Sequence, residues 1–130
     1  MCIRDRLVTG PSPETFAVDE TRRRIYVSDE EASSLSIIDI DQNIIVKAVP
    51  TGAEPEGVLV STDGKTVYVT SEVGDLVHAV NAESGYITQD VVVGTRPRRL
   101  AVTPDGKELW VTTELSGEIY ICLLYTSRCV

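Results

Sequence analysis

Thr51-Gly52-Ala53-Glu54-Pro55-Glu56-Gly57-Val58-Leu59-Val60-Ser61-Thr62-Asp63-Gly64-Lys65 opens the middle third of this 130-residue chain, and its punctuation recurs on either side. Gly10, Gly52 and Gly94 stand 42 residues apart, as do Pro13, Pro55 and Pro97. The apolar run Val58-Leu59-Val60 returns as Phe16-Ala17-Val18 and Leu100-Ala101-Val102. A fixed period of this size means that each copy is one supersecondary unit, buried by stacking on its neighbours.

Working outward, each copy reads as strands joined by turns. Thr62-Asp63-Gly64-Lys65 and Pro104-Asp105-Gly106-Lys107 are hairpin turns, because Gly accepts positive φ and Asp bonds its own backbone. Copy one has Glu20-Thr21-Arg22-Arg23 there, without the Gly, so its turn must be of another type. Second strands follow at Ile25-Tyr26-Val27-Ser28, Val67-Tyr68-Val69-Thr70 and Leu109-Trp110-Val111-Thr112, rich in β-branched and aromatic residues. Third strands read Leu35-Ser36-Ile37-Ile38-Asp39, Val77-His78-Ala79-Val80-Asn81 and Ile119-Tyr120-Ile121. Fourth strands run over residues 44–49 and 87–93. No segment keeps a helical period. Four short strands per 42 residues, several apolar at consecutive positions, predict an all-β propeller whose blades bury both faces. The blades are expected at about 9–50, 51–93 and a truncated 94–121, nearly three four-stranded blades in all.

The period also measures the ends. Residues 1–6 fit no part of the repeat, and after Ile121 the chain leaves the template. Both ends, 1–6 and 122–130, resemble translated adaptor read-through and are read as non-native tails around a core of 7–121. Cys2, Cys122 and Cys129 all fall in those tails, so the core offers no Cys/His metal pattern. Three blades cannot close a ring, and the chain is read as a fragment that leaves apolar faces open.

The chain carries 12 Lys+Arg against 20 Asp+Glu, and the core alone 9 against 19. That balance disfavours non-specific binding to nucleic acid or anionic membrane, which need basic faces. No apolar stretch approaches the length of a membrane span.

These residues carry a likeness. Pro55-x-Gly57-Val58-x-Val60-Ser61-x-Asp63-Gly64-Lys65 followed by Tyr68-Val69-Thr70, with Leu35-Ser36-Ile37-Ile38-Asp39 as a later strand, resembles the YVTN-type β-propeller repeat over residues 9–121. Glu54-Pro55-Glu56-Gly57, Thr70-Ser71-Glu72, Arg96-Pro97-Arg98 and Trp110-Val111 are similar to the propeller proteins associated with pyrroloquinoline-quinone-dependent alcohol catabolism. The resemblance implies a seven-bladed periplasmic protein beside quinoprotein dehydrogenases, without assigning it a biochemical role.

By the same resemblance, the strand after Gly-x-x-Pro is innermost, and the loops entering it ring one mouth of the channel. The copies differ most there: Ser12 and Glu14, then Glu54 and Glu56, then Arg96, Arg98 and Arg99. Glu54, Glu56, Arg96, Arg98 and Arg99 form the candidate rim for a protein partner or a small polar or anionic ligand, since the Arg fork donates two parallel hydrogen bonds. The competing reading, and the commoner fate of such charges, is a blade-to-blade salt bridge from Glu54 or Glu56 to Arg98. Glu30, Glu72 and Glu114 also recur at 42 residues. A carboxylate ring could bind Ca²⁺, but their loop is expected to face away from the channel, so no metal is assigned. His78, the one histidine, is read as a strand residue packed against a neighbouring blade rather than a base or haem ligand. Arg22-Arg23-Arg24 is read as a solvated hairpin tip. The chain offers no catalytic set and no cofactor motif, so a non-enzymatic binding or scaffold role leads. A lactonase-type hydrolase and a cytochrome-associated electron-transfer propeller remain as alternatives.

Overall fold

A computed structural model describes residues 6–124, together with the backbone of Arg128–Cys129. The remaining positions of both expected tails lie outside the described residues. The chain folds into three four-stranded antiparallel sheets, each in simple sequence order. The first contains β1 (Pro13–Asp19), β2 (Arg24–Asp29), β3 (Ser34–Asp39) and β4 (Ile44–Pro50). The second contains β5 (Pro55–Val60), β6 (Thr66–Ser71), β7 (Leu76–Asn81) and β8 (Ile87–Val92). The third contains β9 (Pro97–Val102), β10 (Glu108–Thr113), β11 (Glu118–Leu123) and the short β12 (Arg128–Cys129). There is no helix among the described residues, and thus none long and apolar enough to cross a membrane.

The first strand of each sheet starts at the periodic proline, earlier than the apolar run suggests. Proline lacks an N–H and is tolerated at a strand's first residue. A bulge follows it in each sheet, between Pro13 and Phe16, Pro55 and Val58, and opposite Val111–Thr113. The expected change of turn in copy one is present. Gly64 and Gly106 take φ of 70° and 73°, whereas in the first sheet the left-handed residue is Arg23, one register position later. The strand expected to stop at Ile121 continues through Leu123, with Cys122 opposite Leu109. Cys122 is buried and disulfide-bonded.

The sheets stack face to face. One apolar layer joins sheets one and two, with Tyr26, Leu35, Ile37 and Val49 against Val67, Val69 and Val80. A second joins sheets two and three, with Val77 and Val93 against Leu109, Val111 and Cys122. Burying both faces explains the consecutive apolar positions in β2, β3, β6 and β7. The first strands β1, β5 and β9 lie side by side, so they form the inner edge of the stack.

Candidate functional site

Antiparallel pairing decides what meets at the mouth. Pro13 lies opposite Asp29, Pro55 opposite Ser71 and Pro97 opposite Thr113. The residue after each second strand is therefore folded onto the Gly-x-x-Pro loop. The Glu30 amide donates to the Ser12 carbonyl at 2.9 Å, Glu72 to Glu54 at 3.0 Å and Glu114 to Arg96 at 2.9 Å. The sequence reading placed these three glutamates away from the channel; the ladder instead puts them on the rim.

The rim combines charges from all three blades. Arg98 is its centre: it lies 2.9 Å from Glu72, 2.9 Å from Glu114 and 3.6 Å from Glu56. Arg96 contacts Glu72 at 2.8 Å, and Arg99 contacts Glu56 at 3.0 Å. Glu56 and Glu72 are buried, so these pairs act where water screens them little. No hydrogen is aligned on Glu72 Oε1, so the Arg98 contact there is ionic rather than directed. Glu72 heads the causes holding the Arg96 guanidinium more firmly protonated than usual, and Glu54 adds a weaker field. Glu54 and Arg96 both have left-handed backbone, with φ of 54° and 62°. Each costs on the order of 1–2 kcal/mol for a side chain with a Cβ. The Arg96 amide offsets part of this by donating to Asp75 at 3.1 Å. Glu54, Glu72, Asp75 and Arg96 line a cavity of about 360 Å³.

Toward the first blade the rim is acidic. Glu14, Glu30 and Glu56 bring carboxylate oxygens within 4.8 Å of one another. The hydrogen bond with Glu14, then burial and the surrounding carboxylates, hold Glu30 above the usual carboxylate range. These three residues could together offer oxygen ligands to a cation. Arg98 and Arg99 already supply counter-charge to Glu56, however.

Beneath the mouth lies the second set of contacts that the repeat builds. A Cβ on Gly10 would stand 1.8 Å from Asp29 Oδ2, one on Gly52 2.4 Å from Ser71 Oγ, and one on Gly94 2.7 Å from Tyr120 Cε1. The periodic glycines thus make room for side chains of the second and third strands. His78 belongs to this layer. Its Nε2 accepts from the Gly52 amide at 3.0 Å, and its Nδ1 lies 2.7 Å from Asp90 Oδ1. Its partners are therefore the entry loop and β8 of its own blade, where a neighbouring blade was expected. With Nε2 accepting, the proton sits on Nδ1, and both ring nitrogens are committed.

The Arg22–Arg24 run is also more engaged than a solvated tip. Arg22 donates to the Gly64 carbonyl of the next blade, Arg24 pairs with Asp39 at 2.6 Å and Arg23 with Asp41 at 2.9 Å. Arg22, Arg24 and Lys47 line a groove of about 590 Å³ at the end opposite the rim, where Lys47 Nζ sits 3.3 Å from the centre of the Tyr86 ring. Lys47 was not singled out in the sequence, since its groove forms only when two blades stack.

Four-stranded sheets in sequence order, stacked around side-by-side inner strands, are blades of a β-propeller. More narrowly, the chain belongs to the YNCE-like beta-propeller family, whose model matches residues 4–100. No curated protein sequence matches it significantly. Among solved structures it is similar to the hydrazine synthase of Kuenenia stuttgartiensis, with TM-score 0.87 and 21% identity over 100% of this chain and 38% of that one. It is similar to apo AztD from Citrobacter koseri, with TM-score 0.76 and 17% identity over 96% of this chain and 36% of that one. It is also similar to the dihydro-heme d1 dehydrogenase NirN, with TM-score 0.74 and 24% identity over 94% of this chain and 26% of that one. At these identities the likeness establishes the fold, and the chain spans well under half of each structure.

Proposed function

We propose that these blades belong to a seven-bladed periplasmic propeller that binds or scaffolds rather than catalyses, and that the rim of Glu54, Glu56, Arg96, Arg98 and Arg99 is its working surface. The carrying observation is the unlike charge gathered at one mouth of an otherwise repeated structure. Arg96 and Arg99 keep much of their surface in water beside the half-exposed Glu114, while Glu14 and Glu30 extend the acidic side. Such a surface suits a partner or polar ligand bearing both charges, matched by paired guanidinium and carboxylate contacts. The engagement of both His78 nitrogens supports a non-enzymatic role, because neither is free to take a proton from a substrate. The periplasmic location and the link to quinoprotein alcohol oxidation rest on the sequence likeness to the quinone-associated propellers.

A second reading, a propeller module of a haem-handling redox protein, draws on the likeness to NirN, whose structure is described as a complex with DHE. Amide resonances followed during separate titrations with citrate and spermidine test the rim. Citrate should shift Arg96–Arg99, spermidine should shift Glu14 and Glu30, and Arg99→Glu should remove the citrate response. Shifts scattered over the surface, or none, would sink the rim proposal.

A further inference from the structure

The groove at the end opposite the rim departs from its own repeat. It opens between sheets one and two, with Ile37, Val46 and Ala82 as its apolar wall. The corresponding space between sheets two and three has Ala79, Thr88 and Leu124 there, each 42 residues further on. The two spaces differ in charge and size. Arg22, Arg24 and Lys47 line the first, whereas the repeat puts Gly64, Thr66 and Gln89 at those positions in the second. Three cations and one carboxylate, Glu83, line the first groove, and no charged side chain among the described residues lines the second. The first encloses about 590 Å³ and the second about 180 Å³. Only the first has the size of a small-molecule site, about 300–1,000 Å³.

The three cations are held in place without being used up. Arg22 donates through Nη1 to Asp19 at 3.4 Å and to the Gly64 carbonyl, and Arg24 donates through Nη1 to Asp39 at 2.6 Å. These are their acceptors among the described residues, and a guanidinium carries five N–H donors. Most of each fork is therefore left for a ligand. Asp19 and Asp39 orient the two arginines but do not line the groove. Lys47 crosses the seam, where its Nζ donates to the Ser84 carbonyl at 3.2 Å beside the Tyr86 ring. It has no carboxylate partner among the described residues. A Cβ on Gly85 would stand 2.7 Å from Lys47 Cδ, so that glycine makes room for the lysine stem.

We infer that this groove binds a small organic phosphate monoester, its phosphoryl oxygens held by Arg22, Arg24 and Lys47 and its apolar body laid on Ile37, Val46 and Ala82. A phosphate monoester carries a charge of about −1.5 to −2 near neutral pH and three strong acceptor oxygens. Guanidinium forks match such oxygens with paired hydrogen bonds, and the ammonium adds a compact charge. The apolar wall gives the organic part a place that a bare anion would leave wet. This goes beyond the rim proposal. The groove is built from strands and turns of sheets one and two at the other end of the blades, so it stands whether or not the rim binds anything.

Amide resonances of the full 130-residue chain, followed during titration with phenyl phosphate, test the inference. Saturable shifts should be confined to residues 22–24, 46–47 and 82–85. Inorganic phosphate should bind about tenfold more weakly, for want of the apolar body, and phenol should give no saturable shift. Arg24→Thr and Lys47→Gln install the residues of the second blade. Each should weaken phenyl phosphate about tenfold, the order of one charge-assisted hydrogen bond. Inorganic phosphate or phenol binding as tightly as phenyl phosphate would overturn the inference. So would shifts centred on Arg96–Arg99, no saturable response, or a response unchanged in folded Lys47→Gln. The Lys47 bond to Ser84 is exposed, so if circular dichroism shows Arg24→Thr unfolded, Lys47→Gln still makes the comparison.

Discussion

His78 Nε2 accepts the Gly52 amide at 3.0 Å while its Nδ1 holds Asp90 at 2.7 Å, tying the loop between two blades to the outer strand of the second. An isolated histidine in a strand is thereby a fastener for the segment that delivers Glu54 and Glu56 to the rim. His78→Phe keeps the packing volume but leaves the half-buried Gly52 amide without its acceptor. The expected loss is about 1 kcal/mol, the order of one hydrogen bond with an orphaned partner. Urea unfolding checks it, and His78→Gln, which retains an acceptor, should lose less.

Gly10→Ala should be among the costlier single-methyl changes. Its Cβ would stand 1.8 Å from the carboxylate of the fully buried Asp29, which also accepts the Ala32 amide at 2.9 Å. Overpacking of this kind costs about 1–3 kcal/mol. Gly117→Ala is the control: nothing lies within 4 Å of its Cβ, and only its φ of 68° resists substitution. It should cost about 1 kcal/mol. Thermal unfolding of the two variants should rank them in that order, and equal losses would contradict the crowding under the first entry loop.

Arg98 and Arg99 should separate cleanly in a stability assay. Arg98→Ala withdraws a cation from the buried Glu56 and Glu72 together. The expected loss is about 2 kcal/mol, below the ~3–5 kcal/mol of a fully buried pair broken on one side, because Arg96 and Arg99 still hold the two carboxylates. Arg99 is 56% exposed, and Arg99→Ala should lose no more than about 1 kcal/mol, fading with added salt. Adding Glu56→Gln to Arg98→Ala should restore part of the loss.

Carboxylates on the two ends of the blades should titrate in opposite senses. Asp63 and Asp105 are held below the usual range, chiefly by the hydroxyls of Ser61 and Thr103 and next by the backbone amides of Lys65 and Lys107. Their contribution is present above the unfolded value of about 3.9 and is lost as pH falls through the depressed folded value. Glu30 is raised, first by its hydrogen bond with Glu14. Its contribution is complete below about 4.3 and is lost as pH rises through the folded value. Urea midpoints against pH should therefore show Glu30→Gln more stable than wild type near neutrality and not in acid. Asp63→Asn should be less stable near neutrality, with the gap narrowing in acid.

How much of the rim could be read beforehand turns on pairing rather than composition. Glu54, Glu56, Arg96, Arg98 and Arg99 stood out because the copies differ most in that segment, although Glu56 itself repeats Glu14. Glu30, Glu72 and Glu114 obeyed the repeat and looked like turn chemistry. Their place on the rim follows from the antiparallel ladder, which folds the end of the second strand onto the start of the first. The same pairing was available in principle from the hairpin turns at Gly64 and Gly106. Lys47 and the Arg22 contact to Gly64 had no signal in one copy, since each spans two blades.

The sequence by itself determined the repeat, the strand order and the stacking of blades, because period and apolar pattern express local sterics and burial that every copy must satisfy. It also determined where glycine was obligatory, though not why. Only the tertiary structure decided which charges neutralise one another, what His78 fastens and which side chains crowd the periodic glycines. Those outcomes depend on distances of a few ångströms between residues far apart in the chain, and these are set by strand register and blade contact rather than by any residue's neighbours in sequence.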